Sequence, residues 1–194
     1  MLKRYFYILT AVLFLFVSCH RTSYRYTPIS SKHGIYFHGN DKWLFVSKSA
    51  PGGFAMEASS FAFSELQKKI GDRLTHVADT RGLMHIHNLS LQPDRKTLED
   101  LKTGTGFDFI IHFRFSQRSA DVSDIYIGKP YRNLENEVLT VLEIYDLNNF
   151  EIIQVQELVG RLSLKEDDRE FVVNESSEKI AKRSVKKILK KILP

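Results

Sequence analysis

Apolar and polar residues alternate most strictly in the middle of the chain. In "FDFIIHFRFS" (107–116), Phe107, Phe109, Ile111, Phe113 and Phe115 interleave with Asp108, Ile110, His112 and Arg114. That period of two predicts a strand with one strongly apolar face. Lys42 to Ser47, rich in aromatic and β-branched residues, predicts an earlier buried strand, and "SAPGG" (49–53) ends it. From Ala58 to about Val77 the period changes. Phe61, Leu66, Ile70, Leu74 and Val77 recur at helical steps, with Ser59 or Ser60 as the expected cap. Leu83 to Leu89 reads as a short strand. "SLQPDRKTLEDLKTGTG" reads as a helix with Pro93 at its start, Leu98 and Leu101 inward, and Gly104 and Gly106 at its end.

A polar connection follows the alternating strand (117–136), broken by Gly128 and Pro130. Two strands then flank Asp146-Leu147-Asn148-Asn149, a hairpin turn whose Asn and Asp tolerate the left-handed conformation. A last helix is expected over about Ser176 to Leu193, with Ile180, Val185, Ile188, Leu189 and Ile192 inward. Glu175 and Glu178 precede it and lysines fill its end, as the helix dipole favours. Its basic face raises two readings, a helix lying on an anionic membrane or one packed on the sheet with lysines in water. The second is the commoner use of such a stripe. The predicted order is β-α-β-α-β-β-β-α. It implies an α/β domain with a mixed sheet, helices packed on the sheet, and parallel pairing among the first three strands.

The amino end has a different character. Met1-Leu2-Lys3-Arg4 is a short positive start, and Tyr5 to Val17 carries no charge. That run is too short for a bilayer-spanning helix, which needs about 20 apolar residues, and it suits the apolar region of a secretory signal peptide. Ser18 and the only cysteine, Cys19, follow. Phe16-Val17-Ser18-Cys19 resembles the lipobox of bacterial lipoproteins, with Phe where the usual pattern has Leu. The resemblance implies a diacylglycerol on Cys19 Sγ and cleavage between Ser18 and Cys19. Chemistry fits this use, because the thiol is the side chain nucleophilic enough to take a thioether-linked lipid. The expected organisation is a signal peptide over 1–18, a lipidated cysteine and tether over 19–40, and a single α/β domain over 41–194.

"TLEDLKTGTGFDFIIHFRF" and "VLTVLEIYDLNNFEIIQ" resemble the helix, glycine turn and strand, and the following hairpin, of a group of periplasmic α/β lipoprotein domains. The group holds the curli secretion-channel lipoprotein, the lipoprotein activators of penicillin-binding proteins and the amino-terminal domain of the Tol-system propeller protein. The likeness covers roughly residues 60 to 190 and has no signature residue. It implies a binding or assembly module with no catalysis of its own, and it carries over no catalytic residue.

Composition narrows this little. The formal net charge is +5, and loss of Lys3 and Arg4 with the leader leaves about +3, too mild a bias to point to nucleic acid. There is no Gly-rich phosphate loop and no Gly-x-Ser-x-Gly elbow. His85 and His87, two apart on the predicted strand, share a face, and His112 is a candidate third ligand for a metal. The plainer reading is three hydrogen-bonded or solvated histidines. Asp121, Asp124, Glu135 and Glu137, near Tyr126 and Tyr131, are candidate carboxylates for an alternative function, an envelope hydrolase acting on glycan or peptide. Solvated loop acids are the plainer reading. No cofactor is expected. The expected partners are the membrane, through Cys19, and an envelope protein. His20-Arg21-Thr22-Ser23 has neither the Asp after the cysteine that marks inner-membrane retention in enterobacteria-like lipoproteins nor an acidic cluster resembling the surface-export tag of Bacteroidetes-like ones, so the lipoprotein resemblance implies the outer membrane with the domain facing the periplasm.

Overall fold

Strand β4 (Phe109–Ala120) lies inside the sheet and is covered on both sides. The structure, a computed structural model, describes residues 23–31, 35, 37, 39–49, 53–80, 86, 89–90, 92–120, 125–127, 134–164, 171–173 and 175–193. Its main sheet has six strands in the order β1-β7-β6-β4-β2-β3. These are β1 (Ser23–Ser31), β2 (Trp43–Ser49), β3 (Leu74–His76), β4, β6 (Leu134–Asp146) and β7 (Glu151–Leu164). Strand β2 pairs in parallel with β3 and β4, while β4-β6, β6-β7 and β7-β1 are antiparallel. Short strands β5 (Ile125–Ile127) and β8 (Phe171–Val173) form a separate antiparallel pair. The helices are α1 (Met56–Ile70), α2 (Arg95–Thr105) and α3 (Ser177–Ile192). This is the mixed α/β sandwich expected from the hydrophobic pattern, with extra strands.

Helices α1 and α3 cover one face of the sheet and touch each other. Small buried residues, Ala58 and Ala62 on α1 and Ala181 and Ser184 on α3, keep these helices close to their neighbours. Under them lie Phe45, Ile111, Phe113, Leu142, Ile144 and Leu158. Trp43 stacks on Phe109 at 4.4 Å between ring centroids. On the opposite face, α2 and the segment before it bury Leu44, Val46, Ile110, Tyr145 and Leu147 beneath Val77, Ile86, Leu89 and Leu98. Phe107, expected on the face of Phe109, precedes the strand and packs into this second core. The even-numbered residues of β4 are therefore not its wet face, since Ile110 and His112 are both fully buried.

Helix α1 ends earlier than its period suggests. Gly71 adopts φ 71° and turns the chain, so Leu74 enters β3 and Val77 a 3-10 turn. Its cap position is Ala55, without a side-chain cap, and Ser59 instead donates to Ser47 Oγ at 2.6 Å. The strand expected over Leu83–Leu89 is absent where the chain is described. Ile86 sits in a 3-10 turn, Leu89 has no regular structure, and the other positions lie outside the described residues. The edge strand beside β2 is instead β3 (Leu74–His76), paired in parallel. Pro93 lies just before α2, whose cap is Asp94, accepting from Thr97 N at 2.9 Å. Gly104 stays within the helix, and Gly106 closes it in the left-handed region.

The hairpin turn is an Asx turn. Asp146 Oδ1 accepts from Asn148 N at 2.8 Å and Asn149 N at 3.1 Å, while the left-handed residue is Phe150, not an Asn. The stretch expected as a tether contributes a strand: Ser23–Ser31 pairs along β7, with an irregularity between Pro28 and Ser30. A proline suits this edge position, where one side of the strand needs no ladder donor. Gly160, opposite Tyr24, is required sterically. A Cβ there would stand 2.4 Å from Ile180 Cγ2 and 2.9 Å from the Tyr24 ring.

Two substitutions test this packing. Phe113→Ala removes a fully buried ring and should cost about 3–5 kcal/mol, more than the same change at the partly exposed Phe109. Gly160→Ala should cost about 1–3 kcal/mol by overpacking the junction of β1, β7 and α3. Urea denaturation of each variant measures both. Losses below about 1 kcal/mol at Phe113 and Gly160 would contradict the packing described.

Candidate functional site

A buried carboxylate, Glu143, and a buried imidazole, His112, lie side by side on the second face of the sheet. Registers place His112 of β4 opposite Val46 of β2 and Glu143 of β6, and Arg114 opposite Lys48 and Val141. Alternation then puts His112, Arg114, Glu143 and Tyr145 on one face. Glu143 is almost completely buried and accepts three hydrogen bonds. Arg114 Nη2 donates to Oε2 at 3.0 Å, Tyr145 Oη donates to the same oxygen at 2.6 Å, and Gln92 N donates to Oε1 at 3.3 Å. Gln92 holds φ 48°, so this bond comes from a backbone in the left-handed region. A carboxylate removed from water needs such donors, because an unpaired buried charge costs several kcal/mol.

His112 stands differently. Its ring is fully buried and neither nitrogen has a hydrogen-bond partner. Nδ1 is 3.8 Å from Glu143 Oε2, beyond hydrogen-bonding range. Burial, then the charges of Arg114 and Lys48, push its pKa down to about 3, so the imidazole is neutral and makes no ion pair. Burial, followed by the hydrogen bond to Glu143, pushes the Tyr145 phenol upward, so it stays a donor. Together these groups form a latch. A charged pair and a phenol hold the segment around Gln92 against the sheet.

The three candidate metal-ligating histidines are not seen together in what is described. His112 is buried on β4, His85 and His87 lie outside the described residues, and no group of three metal-ligating side chains occurs among the described residues. The carboxylate candidates divide similarly. Asp121, Asp124 and Tyr131 lie outside the described residues, and of Tyr126 only the backbone, in β5, is described. Glu135 and Glu137 point toward arginines across the sheet. Glu135 accepts from Arg161, and Glu137 accepts from Arg118 Nη1 at 3.1 Å. They form a cross-strand ion-pair ladder on the partly exposed end of the second face. Ser18 and Cys19 lie outside the described residues.

Two concavities escaped the sequence reading. One, of about 330 Å³, lies at the carboxyl ends of the parallel strands beside the start of α1. Ser47, Ser59, His76 and Phe115 line it, with Met56 at 71% exposure on its rim. Open α/β sheets place ligands at this end of their parallel strands. His76 Nδ1 accepts from Ala78 N at 3.1 Å, and its ring meets Phe63 edge-on at 5.2 Å. The other, of about 360 Å³, lies between β1 and the end of α3, lined by Tyr24, Leu158, Lys187, Lys190 and Lys191. Neither has a one-dimensional signal, because each is made by elements far apart in the chain. Among the described residues, no helix is long and apolar enough to cross a membrane.

No protein-family model and no curated protein matches the chain. Among solved structures it is similar to the PelC dodecamer from Paraburkholderia phytofirmans, with a TM-score of 0.45 and 14% identity, over 87% of this chain and 95% of that one. It is similar to the lipoprotein GNA1162 from Neisseria meningitidis, with a TM-score of 0.41 and 13% identity, over 78% of this chain and 97% of that one. A third likeness is to the hypothetical protein CT253 from Chlamydia trachomatis, with a TM-score of 0.43 and 10% identity, over 78% of this chain and 95% of that one. At these scores and identities the likenesses carry no argument about function.

His112 makes folding sensitive to acid. Below its ordinary value of 6.5 the unfolded chain binds a proton that the folded chain refuses until about pH 3. Stability therefore falls as pH drops through that window, by up to about 1.4 kcal/mol per pH unit from this group. His112→Leu should flatten the dependence between about pH 6 and pH 4. It should also leave stability at neutral pH undiminished, since no hydrogen bond is lost. Denaturation midpoints across pH check this, and an unchanged slope in the variant would refute it.

Proposed function

We propose that this protein is a lipid-anchored module of the bacterial cell envelope that binds or assembles with another envelope component and performs no chemistry of its own. The observation that carries the reading is the stretch Phe14 to Ser23. An apolar run ends at Ser18-Cys19, and within four residues the chain enters edge strand β1. An anchor on Cys19 would therefore hold the folded sheet close to the bilayer. Two acyl chains hold a protein stably where one does not, and each buried CH₂ contributes about 0.8 kcal/mol.

Glu143 is fully engaged by Arg114, Tyr145 and Gln92, and Glu135 and Glu137 are engaged by arginines. The engagement of these carboxylates supports binding over catalysis. The order of elements from α2 through β7 supports the resemblance to periplasmic lipoprotein domains that serve as assembly parts. The basic, Asp-free start after Cys19 supports a place on the inner leaflet of the outer membrane, facing the periplasm.

Cys19→Ala should abolish palmitate labelling and release the protein from the membrane fraction. Labelling that persists in this variant would end the lipoprotein reading. In intact cells added protease should leave the protein whole, and after permeabilisation it should digest it. Digestion in intact cells would place the domain on the cell surface.

A further inference from the structure

Helix α3 distributes its charge unevenly. From Lys179 to Pro194 the chain has seven basic residues and no acidic one. Near the helix start Lys182 lies 3.3 Å from Glu57, and Arg183 pairs with Glu175. Further along, Lys186, Lys187, Lys190 and Lys191 are all exposed, while Ile188 and Leu189 between them are buried. The apolar stripe of α3 is thus already used on the sheet, and the helix does not insert into a bilayer. Lys190 and Lys191, three and four residues after Lys187, lie with it on one side of the helix. They meet β1 there, and Lys187 Nζ lies 4.8 Å from the centre of the Tyr24 ring. With Tyr24 and Leu158 they enclose the open groove of about 360 Å³. Its floor is apolar and its rim cationic, which is the complement of an anionic headgroup with the start of its acyl chain.

Tyr24 is five residues from Cys19, at most about 18 Å of extended chain. We infer that the α3–β1 groove is the face by which the domain rests on an anionic phospholipid bilayer. The position of the groove relative to the membrane rests on the lipid-anchor reading of Cys19, but its chemistry does not. Each basic residue close to an anionic surface contributes on the order of fivefold in affinity. Three lysines then contribute on the order of a hundredfold, and the effect is screened by salt. The anchor keeps the protein on the membrane, and the groove fixes which face the sheet turns away from it.

The test uses the chain from residue 19 onward with Cys19→Ala, which keeps every described residue and carries no lipid. Its binding to vesicles of phosphatidylcholine is compared with binding to vesicles that also contain phosphatidylglycerol. Binding to the second only, weakening as salt rises, is expected. Lys187→Glu/Lys190→Glu/Lys191→Glu should weaken it by on the order of a hundredfold or more. The double change at 190 and 191, which keeps Lys187 over Tyr24, should show a smaller loss in the same direction while preserving the fold. An equal charge change elsewhere, Lys42→Glu/Lys68→Glu/Lys96→Glu, should have much less effect. No binding to phosphatidylglycerol vesicles, or equal losses in the two triple variants, would overturn the docking face. An acidic protein segment as the true occupant would give that first result. Because the assay protein has no lipid, either result is independent of whether Cys19 is modified in cells.

Discussion

Covering both faces of β4 is the constraint on which the rest of this structure depends. Its odd residues, Ile111, Phe113 and Phe115, need α1 and α3 above them, and its even residues, Ile110 and His112, need a second cover below. One helix cannot supply that second cover, because α2 buries only Leu98 fully. The chain between β3 and α2 completes it through Val77, Ile86 and Leu89. The parallel arrangement of β2, β3 and β4 follows, since each crossover must pass over one face or the other. So does the strong link at the start of β4. Asp108 accepts from Lys102 Nζ at 2.6 Å and Lys42 N at 2.9 Å, joining the ends of α2, β2 and β4.

A second cover made partly of irregular chain creates a polar problem. Backbone donors in such a segment lack a ladder, and Gln92 N finds its acceptor in a buried side chain, Glu143. That carboxylate in turn requires Arg114 and Tyr145. The segment is thus held by a charge-assisted network as well as by apolar contact, and charge-assisted bonds are stronger than neutral ones. His112 sits beside this network without joining it, which makes it the acid-sensitive member of the group.

The first face is organised from its far edge. Strand β1 closes the sheet beside β7, and Tyr24 reaches over Gly160 to donate to Glu175 Oε2 at 3.3 Å. Glu175 also holds Arg183, while Asn136 Nδ2 donates to Glu175 O at 3.2 Å and Gln117 Nε2 donates to Ser177 Oγ at 2.7 Å. The start of α3 is therefore fixed by three strands at once. Strand β1, from Ser23 onward, is thereby part of the same unit as the start of α3.

Elements with a strong local period were legible from the chain alone. The last helix, the hairpin strands β6 and β7, and the alternation of β4 follow from side-chain spacing, because burial of one face demands that spacing whatever the partner is. Gly106 and Asp146 were legible as punctuation because their roles are local. What spacing could not reveal were features decided by partners distant in sequence. β1 has little alternation of its own and exists because β7 offers an open edge. Leu74 and Val77 continue the period of α1, but Gly71 turns the chain and the edge of β2 captures Leu74 to His76 instead. The candidate chemistry divides along the same line. Cys19 stands out by its immediate neighbours, whereas Glu143, Arg114 and Gln92, or Tyr24 and Lys187, meet only once registers and helix docking are set. Spacing along the chain determines which face of an element is apolar, and tertiary packing decides which charges must then share the little buried space that remains.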